Sequence, residues 1–440
     1  MTRKFFFFSE MGYNAYPIEA LERYGYSALL FPNSIFDPEK ARDLWQMFLR
    51  EHEYASEMGF DGSVCNEHHN NVLSMQESVN ISAAVISQRI KGTIALIGNP
   101  LPIHDNPVRV AEEIAMLDLI SGGRIISGFV RGTGIEQLST NANPAYNRER
   151  FEEAFALIKK TWTVPGPFRW EGKHYHLRVV NPWQLPLQRP HPPIWAAGIL
   201  SPETIRWAAR QRITYLVLGS ALDATATCRD IYHEVAQEDG WVPTPQHLGY
   251  LIHTCVMDTD EEAYEMGRHH YGGASVIGRS GGVAASALTA GTGSAGVTDG
   301  GPHPEWMAPP GYMSKQAKTG NMARERRMSE GSYEAAIRAG LIVTGSPRTI
   351  IQKFKHIIDR TDPGYLTFWA REGKKPHEAT MRGIELLGKE IIPALREHQS
   401  ASMTTQKRAT LPSGNFAARA KAKSRSNTAA ATAKLANWKP

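Results

Sequence analysis

Apolar positions along the chain follow two alternating periods. Short runs such as Lys4–Phe8, Ile90–Ile97, Ile125–Val130, Ile194–Ala197, Tyr215–Leu218 and Tyr365–Trp369 read as strands, as do segments ending at Asn66 and lying within Leu248–Met257. Longer stretches with helical spacing fall between them. One runs from Asp37-Pro38, an N-cap with proline at the first helical position, through Leu44, Met47, Phe48 and Tyr54 to Gly59. Others are Ser78–Gln88, Pro107–Ile120, Arg148–Trp162, a segment through Trp207, Thr225–Glu238, Thr344-Gly345-Ser346-Pro347 on to Asp359, and Glu378–Leu395. Eight strands with helices between them predict an α/β chain folded as a (β/α)₈ TIM barrel, with an open doubly wound sheet as the alternative.

Three segments depart from this rhythm. Within 165–190, Arg169–Val180 alternates aromatic, basic and apolar residues between prolines, which predicts an inserted hairpin. From 272 to 321 the composition turns to Gly, Ala, Ser and Thr, as expected of a mobile functional loop or a disordered one. Its Gly291-Thr292-Gly293-Ser294-Ala295-Gly296 matches a dinucleotide glycine pattern by letter, but no strand leads in and no amphipathic helix follows, so that reading is rejected. The third is 401–440, which holds eight basic residues, no acid and few large apolar residues, and is expected to be a disordered tail behind a barrel domain spanning 1–400. Removing those eight from a net charge of +5 leaves −3, so basicity belongs to the tail and a nucleic-acid face on the folded body is not expected.

Three cysteines far apart in sequence (Cys65, Cys228, Cys255) make no disulfide framework. No apolar run reaches membrane-spanning length, and Arg3-Lys4 with four phenylalanines is too short for a signal peptide. A soluble cytoplasmic protein is expected.

Barrel chemistry is confined to loops at the carboxyl ends of the strands, and three clusters fall there. The run Phe60-Asp61-Gly62-Ser63-Val64-Cys65-Asn66 stops abruptly in Glu67-His68-His69. Such a triplet serves acid–base chemistry, or else one histidine caps a helix while the other is buried with a partner. Metal ligation is not expected, because adjacent histidines on an extended segment point opposite ways and no further ligands follow at zinc spacing. The second cluster is Arg131-Gly132-Thr133-Gly134, and the third runs from Gly198 to Thr204, with Ser201 before Pro202 at a helix start. Arg131, the Ser201 and Thr204 hydroxyls and free helix N–H groups would together suit a phosphate monoester; the plainer alternative is an N-cap and a surface arginine.

From Lys4 to Arg396 the sequence resembles the bacterial luciferase-like flavin monooxygenases. The resembling stretches are Gly59-Phe60-Asp61 through Glu67-His68-His69, Pro107-Val108-Arg109-Val110-Ala111-Glu112-Glu113, Leu117-Asp118 with Ser121-Gly122-Gly123-Arg124, Gly128-Phe129-Val130-Arg131-Gly132, and Trp207-Ala208-Ala209. The resemblance implies a TIM barrel that takes reduced FMN, as a dissociable co-substrate, from a separate NAD(P)H:flavin reductase. It then oxygenates a small organic substrate with O₂ through a flavin hydroperoxide, commonly as a homodimer. It places His68 at the family's catalytic histidine and Arg131, Ser201 and Thr204 at its FMN-phosphate contacts, and Gly198 is counted with them among the cofactor-binding residues. A non-prolyl cis peptide is implied near Ile97-Gly98-Asn99, which adds Gly98 and Asn99 to the cofactor residues. Leu200 and Val130 stand where luciferases carry a glutamate and a reactive cysteine, and the segment 272–321 falls where they carry a lid. Two alternatives stay open: a deazaflavin-dependent dehydrogenase of the same superfamily, and a non-catalytic flavin-binding protein. Tyr13, Tyr16, Tyr24, Tyr26 and Phe31, with Trp195, point to an apolar pocket.

Overall fold

In the computed structural model the described residues are 3–17, 19–20, 31–70, 72–132, 134–271, 333–371 and 373–400. The Gly-rich segment 272–321 and the tail 401–440 lie outside them, as do Tyr24, Tyr26 and Thr133. The chain divides into one unit, Met1–His398, and a remainder, Gln399–Pro440.

Eight strands close the first unit into a barrel: β1 Lys4–Ser9, β2 Gly62–Cys65, β3 Thr93–Leu96, β4 Ile125–Val130, β5 Ile194–Gly198, β6 Thr214–Leu218, β7 Leu248–Val256 and β8 Tyr365–Arg371. Each pairs in parallel with the next, and β8 returns to β1 in the register Phe6↔Thr367, so the expected TIM barrel is the fold. The helices that the site depends on are α1 Pro38–Glu57, α2 Val79–Ser87, α3 Pro107–Ser121, α4 Asn147–Thr163 and α5 Pro202–Gln211. An antiparallel hairpin, Phe168–Glu171 with His176–Val180, sits between α4 and β5.

The four consecutive phenylalanines of β1 serve both faces of the strand. Phe6 and Phe8 point inward with Val64, Ala95, Ile97, Ile126, Trp195, Leu216 and Leu251, while Phe5 and Phe7 pack outward against the helix layer. Trp195 stands in the middle of the barrel, 5.7 Å from the Phe6 ring and 4.8 Å from Tyr365, so it fills the core and not a substrate pocket. The Ser121-Gly122-Gly123-Arg124 stretch also has a structural job. Gly122 ends α3 in the left-handed region, and the Arg124 guanidinium donates to the carbonyls of Ser87, Ile90, Gly92 and Ser121, tying α2, β3 and α3 together.

One strand was not expected. Ile342–Gly345 pairs with His253–Val256 on the outside of β7, so Thr344 and Gly345 end a strand and the following helix, Pro347–Thr361, opens only after Ser346. Four residues directly behind a low-complexity stretch give too short a pattern to read. The helix Asp260–Tyr271 also went unread.

Candidate functional site

His68, Gly98, Asn99, Arg131, Gly198, Ser201 and Thr204 all lie at or just past the carboxyl ends of β2, β3, β4 and β5, and therefore share one rim of the barrel.

The acid of the first triplet is architectural. Glu67 Oε2 accepts the Val79 N–H at 2.9 Å, holding the first turn of α2, and Oε1 lies 3.1 Å from His69 Nε2. His69 is thereby engaged with the wall. His68 turns the other way. Its Nδ1 lies 2.9 Å from Glu136 Oε1 and its Nε2 3.8 Å from Glu10 Oε2, while its backbone N–H donates to Gln76 O at 3.1 Å. Burial alone would lower its pKa. The hydrogen bond to Glu136 and the fields of Glu10, Glu136 and Glu67 outweigh that and raise it to about 9, so His68 is an imidazolium at neutral pH. Burial drives the Glu10 pKa upward, opposed by His68 and by the Asn66 amide that donates to its Oε2. Gln76 Nε2 in turn holds Asn66 Oδ1 at 2.6 Å.

The second cluster joins the first through the short helix Gly134–Ser139, which carries Glu136 and Gln137. The Arg131 carbonyl accepts from Gln137 Nε2 and Asn147 Nδ2, each at 2.8 Å, and Arg131 Nη1 donates to Asn147 Oδ1 at 3.3 Å. Next along α4, Arg148 Nη2 reaches Thr204 Oγ1 at 3.5 Å, and Thr204 donates to Ser201 Oγ at 3.2 Å. The Ser201 hydroxyl does not cap α5; it donates to Glu203 Oε2 at 3.0 Å. The Arg148 guanidinium and two hydroxyls thus meet at the start of α5 beside the Glu203 carboxylate, and Arg131 connects to them through Asn147, the neighbour of Arg148. Gly198 keeps this place open, because a Cβ there would lie 2.7 Å from Tyr215 Oη, a buried phenol oxygen with no partner among the described residues.

The peptide Ile97–Gly98 is cis and non-prolyl, where the resemblance implied one. A Cβ at Gly98 would meet Gly128 O at 2.4 Å, so only glycine lets β3 and β4 approach this closely. Asn99 is buried, and its carboxamide exchanges two hydrogen bonds with Asn80, at 2.9 and 3.2 Å, while Asn80 also holds Glu113 at 2.8 Å. Its side chain is committed to α2, and its backbone pairs with Phe129 of β4. The upper barrel interior is apolar, with Ile97, Val130, Leu218 and Trp369, the last stacked 3.9 Å from the His253 ring.

Glu10, Asn66, Gln76, Glu136, Asn147 and Arg148 were not read from the sequence. Glu10 had the same signal as Glu67, an acid just past a strand end, and Asn147-Arg148 opens the helix after the Gly-flanked arginine. Glu136 carried none, since only the fold brings it to His68.

Guanidinium and hydroxyl groups at a helix start make an anion-binding donor set, here on the rim of a TIM barrel. The luciferase-like monooxygenase family matches residues 36–362, and the chain belongs to it. Two curated relatives align with about half of the chain. The uncharacterized protein y4wF of Sinorhizobium fredii is 33% identical over 222 residues, 49% of this chain and 62% of its own length. The oxygenase component of flavin-dependent trigonelline monooxygenase from Acinetobacter baylyi is 22% identical over 245 residues, 54% of this chain and 66% of its own. The chain thus spans less than two thirds of the length of either. Among solved structures, the oxygenating constituent of 3,6-diketocamphane monooxygenase from Pseudomonas putida, in complex with FMN, superposes with a TM-score of 0.65 at 17% identity, covering 90% of this chain and 98% of that one. An F420-dependent secondary alcohol dehydrogenase superposes at 0.58 and 17%, covering 90% and 100%. These likenesses are of fold. No helix among the described residues is long and apolar enough to cross a membrane.

Proposed function

We propose that the protein is a cytoplasmic flavin-dependent monooxygenase that receives reduced FMN from a separate NAD(P)H:flavin reductase and uses O₂ to oxygenate a small organic substrate. One observation carries this reading: a continuous polar line along a single rim, from His68 through Glu136, Gln137, Arg131, Asn147 and Arg148 to Thr204 and Ser201. Bound reduced FMN would supply the electrons that activate O₂ for transfer of one oxygen atom. Arg131, Arg148, Ser201 and Thr204 would hold its phosphate, and the Gly98–Asn99 and Gly198 backbones would border it. His68 holds a proton at Nε2 beside Glu10 and returns it as charge changes on the reacting oxygen. Ile97, Val130, Leu218 and Trp369 keep water from the mouth.

Anaerobic titration of FMNH₂ tests the reading. Wild type should bind; His68→Ala should bind comparably yet lose product while still consuming oxygen; Arg131→Ala should bind poorly. Identical behaviour of the two variants would sink the assignment of roles. The likeness to an F420-dependent dehydrogenase supports a second reading, hydride transfer on a deazaflavin. Turnover of an alcohol with oxidised F420 under strict anaerobiosis would favour it over the first. Exposed apolar residues on α2 and α3 support a homodimer.

A further inference from the structure

Beside the rim, between the β1–α1 and β2–α2 connections, lies a cavity of about 640 Å³, large enough for a small organic molecule. Tyr13, Phe31, Phe36 and Trp45 line it, and Glu77 is the one carboxylate or cation among its described lining residues. Glu77 is exposed and makes no hydrogen bond or ion pair to a described residue; its field acts on His69, whose side chain is itself held by Glu67. Tyr13 and Val72 also line a second cavity of about 50 Å³ that reaches Glu10 and His68. The large cavity therefore shares two wall residues with the small one that reaches the proposed proton-handling residues.

We propose that this cavity seats the organic substrate and that the substrate carries a quaternary or tertiary ammonium group. Aromatic rings attract cations through their quadrupoles, and an unpaired carboxylate at the rim adds a charge that anions would avoid. Behind the cavity wall an ammonium already meets a ring: Lys374 Nζ, which donates to the Tyr16 carbonyl, stands 4.9 Å from the centre of the Tyr16 ring, and that ring packs 5.3 Å from Phe31 of the lining. Tyr13 and Phe36, with centroids 5.0 Å apart, form a second pair in the lining. A neutral apolar substrate would have no use for Glu77, and a carboxylate would be repelled by it. The word substrate rests on the oxygenase reading; the preference for cations does not.

Calorimetric titration of the full chain with benzyltrimethylammonium, benzyl alcohol and benzoate tests this directly. The cation should bind most tightly and benzoate least. Glu77→Gln and Phe36→Leu, both at exposed positions that should fold normally, should each weaken the cation by about two- to tenfold. Because Glu77→Gln also changes the field at His69, the uncharged Phe36→Leu separates ring contact from that effect. No cation binding, benzoate binding as well as the cation, or two variants that bind like wild type would each overturn the proposal. FMNH₂ titrated into the wild-type chain keeps the two readings apart: flavin binding without cation binding ends this inference alone, and cation binding without flavin binding ends the oxygenase reading alone.

Discussion

At the scale of single residues, His68 is defined less by its own chemistry than by the carboxylates around it. The triplet Glu67-His68-His69 announced a site, but nothing local to it shows that Glu67 serves α2 or that Glu136, from another connection, pairs with His68. The folded His68 pKa of about 9 lies above the ordinary histidine value of 6.5, so its ion pairs stabilise the fold fully below the unfolded pKa and are lost as pH rises through the folded one. Glu10, also raised, acts with the same sign. Wild type should therefore lose melting temperature between roughly pH 6.5 and 9, and His68→Gln should flatten that window in a thermal-melt series. A slope unchanged in the variant would remove His68 as its source. At the other end of the rim, Arg131→Ala should weaken FMN by about 1.5–3 kcal/mol and Ser201→Ala by about 0.5–1.5 kcal/mol, read by flavin fluorescence titration.

At the scale of elements, the alternation of periods located all eight barrel strands, because parallel strands buried on both faces read as unbroken apolar runs. It failed at Ile342–Gly345, where four residues pair outside the barrel and no long apolar run is needed. It could not foretell that Asn99 would be clasped by Asn80, since that contact joins the end of β3 to α2 across nineteen positions of chain. The clasp also ties Glu113 of α3. Asn80→Ala should leave buried polar groups without partners and cost about 1–3 kcal/mol in denaturant unfolding, with FMN affinity close to wild type. A variant as stable as wild type but poor in FMN binding would show instead that the clasp shapes the cofactor site.

At the scale of the whole molecule, the barrel interior satisfies its own apolar residues and the outer helices do not. Ile81 and Val85 on α2 and Met116, Leu119 and Ile120 on α3 are exposed, Ile81 by 69% of its surface, and the two helices are neighbours. On each helix the exposed residues recur at helical spacing, Ile81 with Val85 and Met116 with Leu119 and Ile120. Exposed apolar stripes on two adjacent helices suit a two-fold contact in which each copy presents the same residues. Light scattering on the purified chain should give the mass of a dimer. Ile81→Glu with Ile120→Glu would place like charges across such a contact, so the double variant should elute as a folded monomer with its circular dichroism unchanged. The rim sits on loops at the strands' carboxyl ends and not on the outer flank of α2 and α3, so the monomer should keep FMN binding. Loss of flavin affinity together with dimerisation would mean that the partner copy completes the site, and a wild-type monomer would leave that face to another occupant.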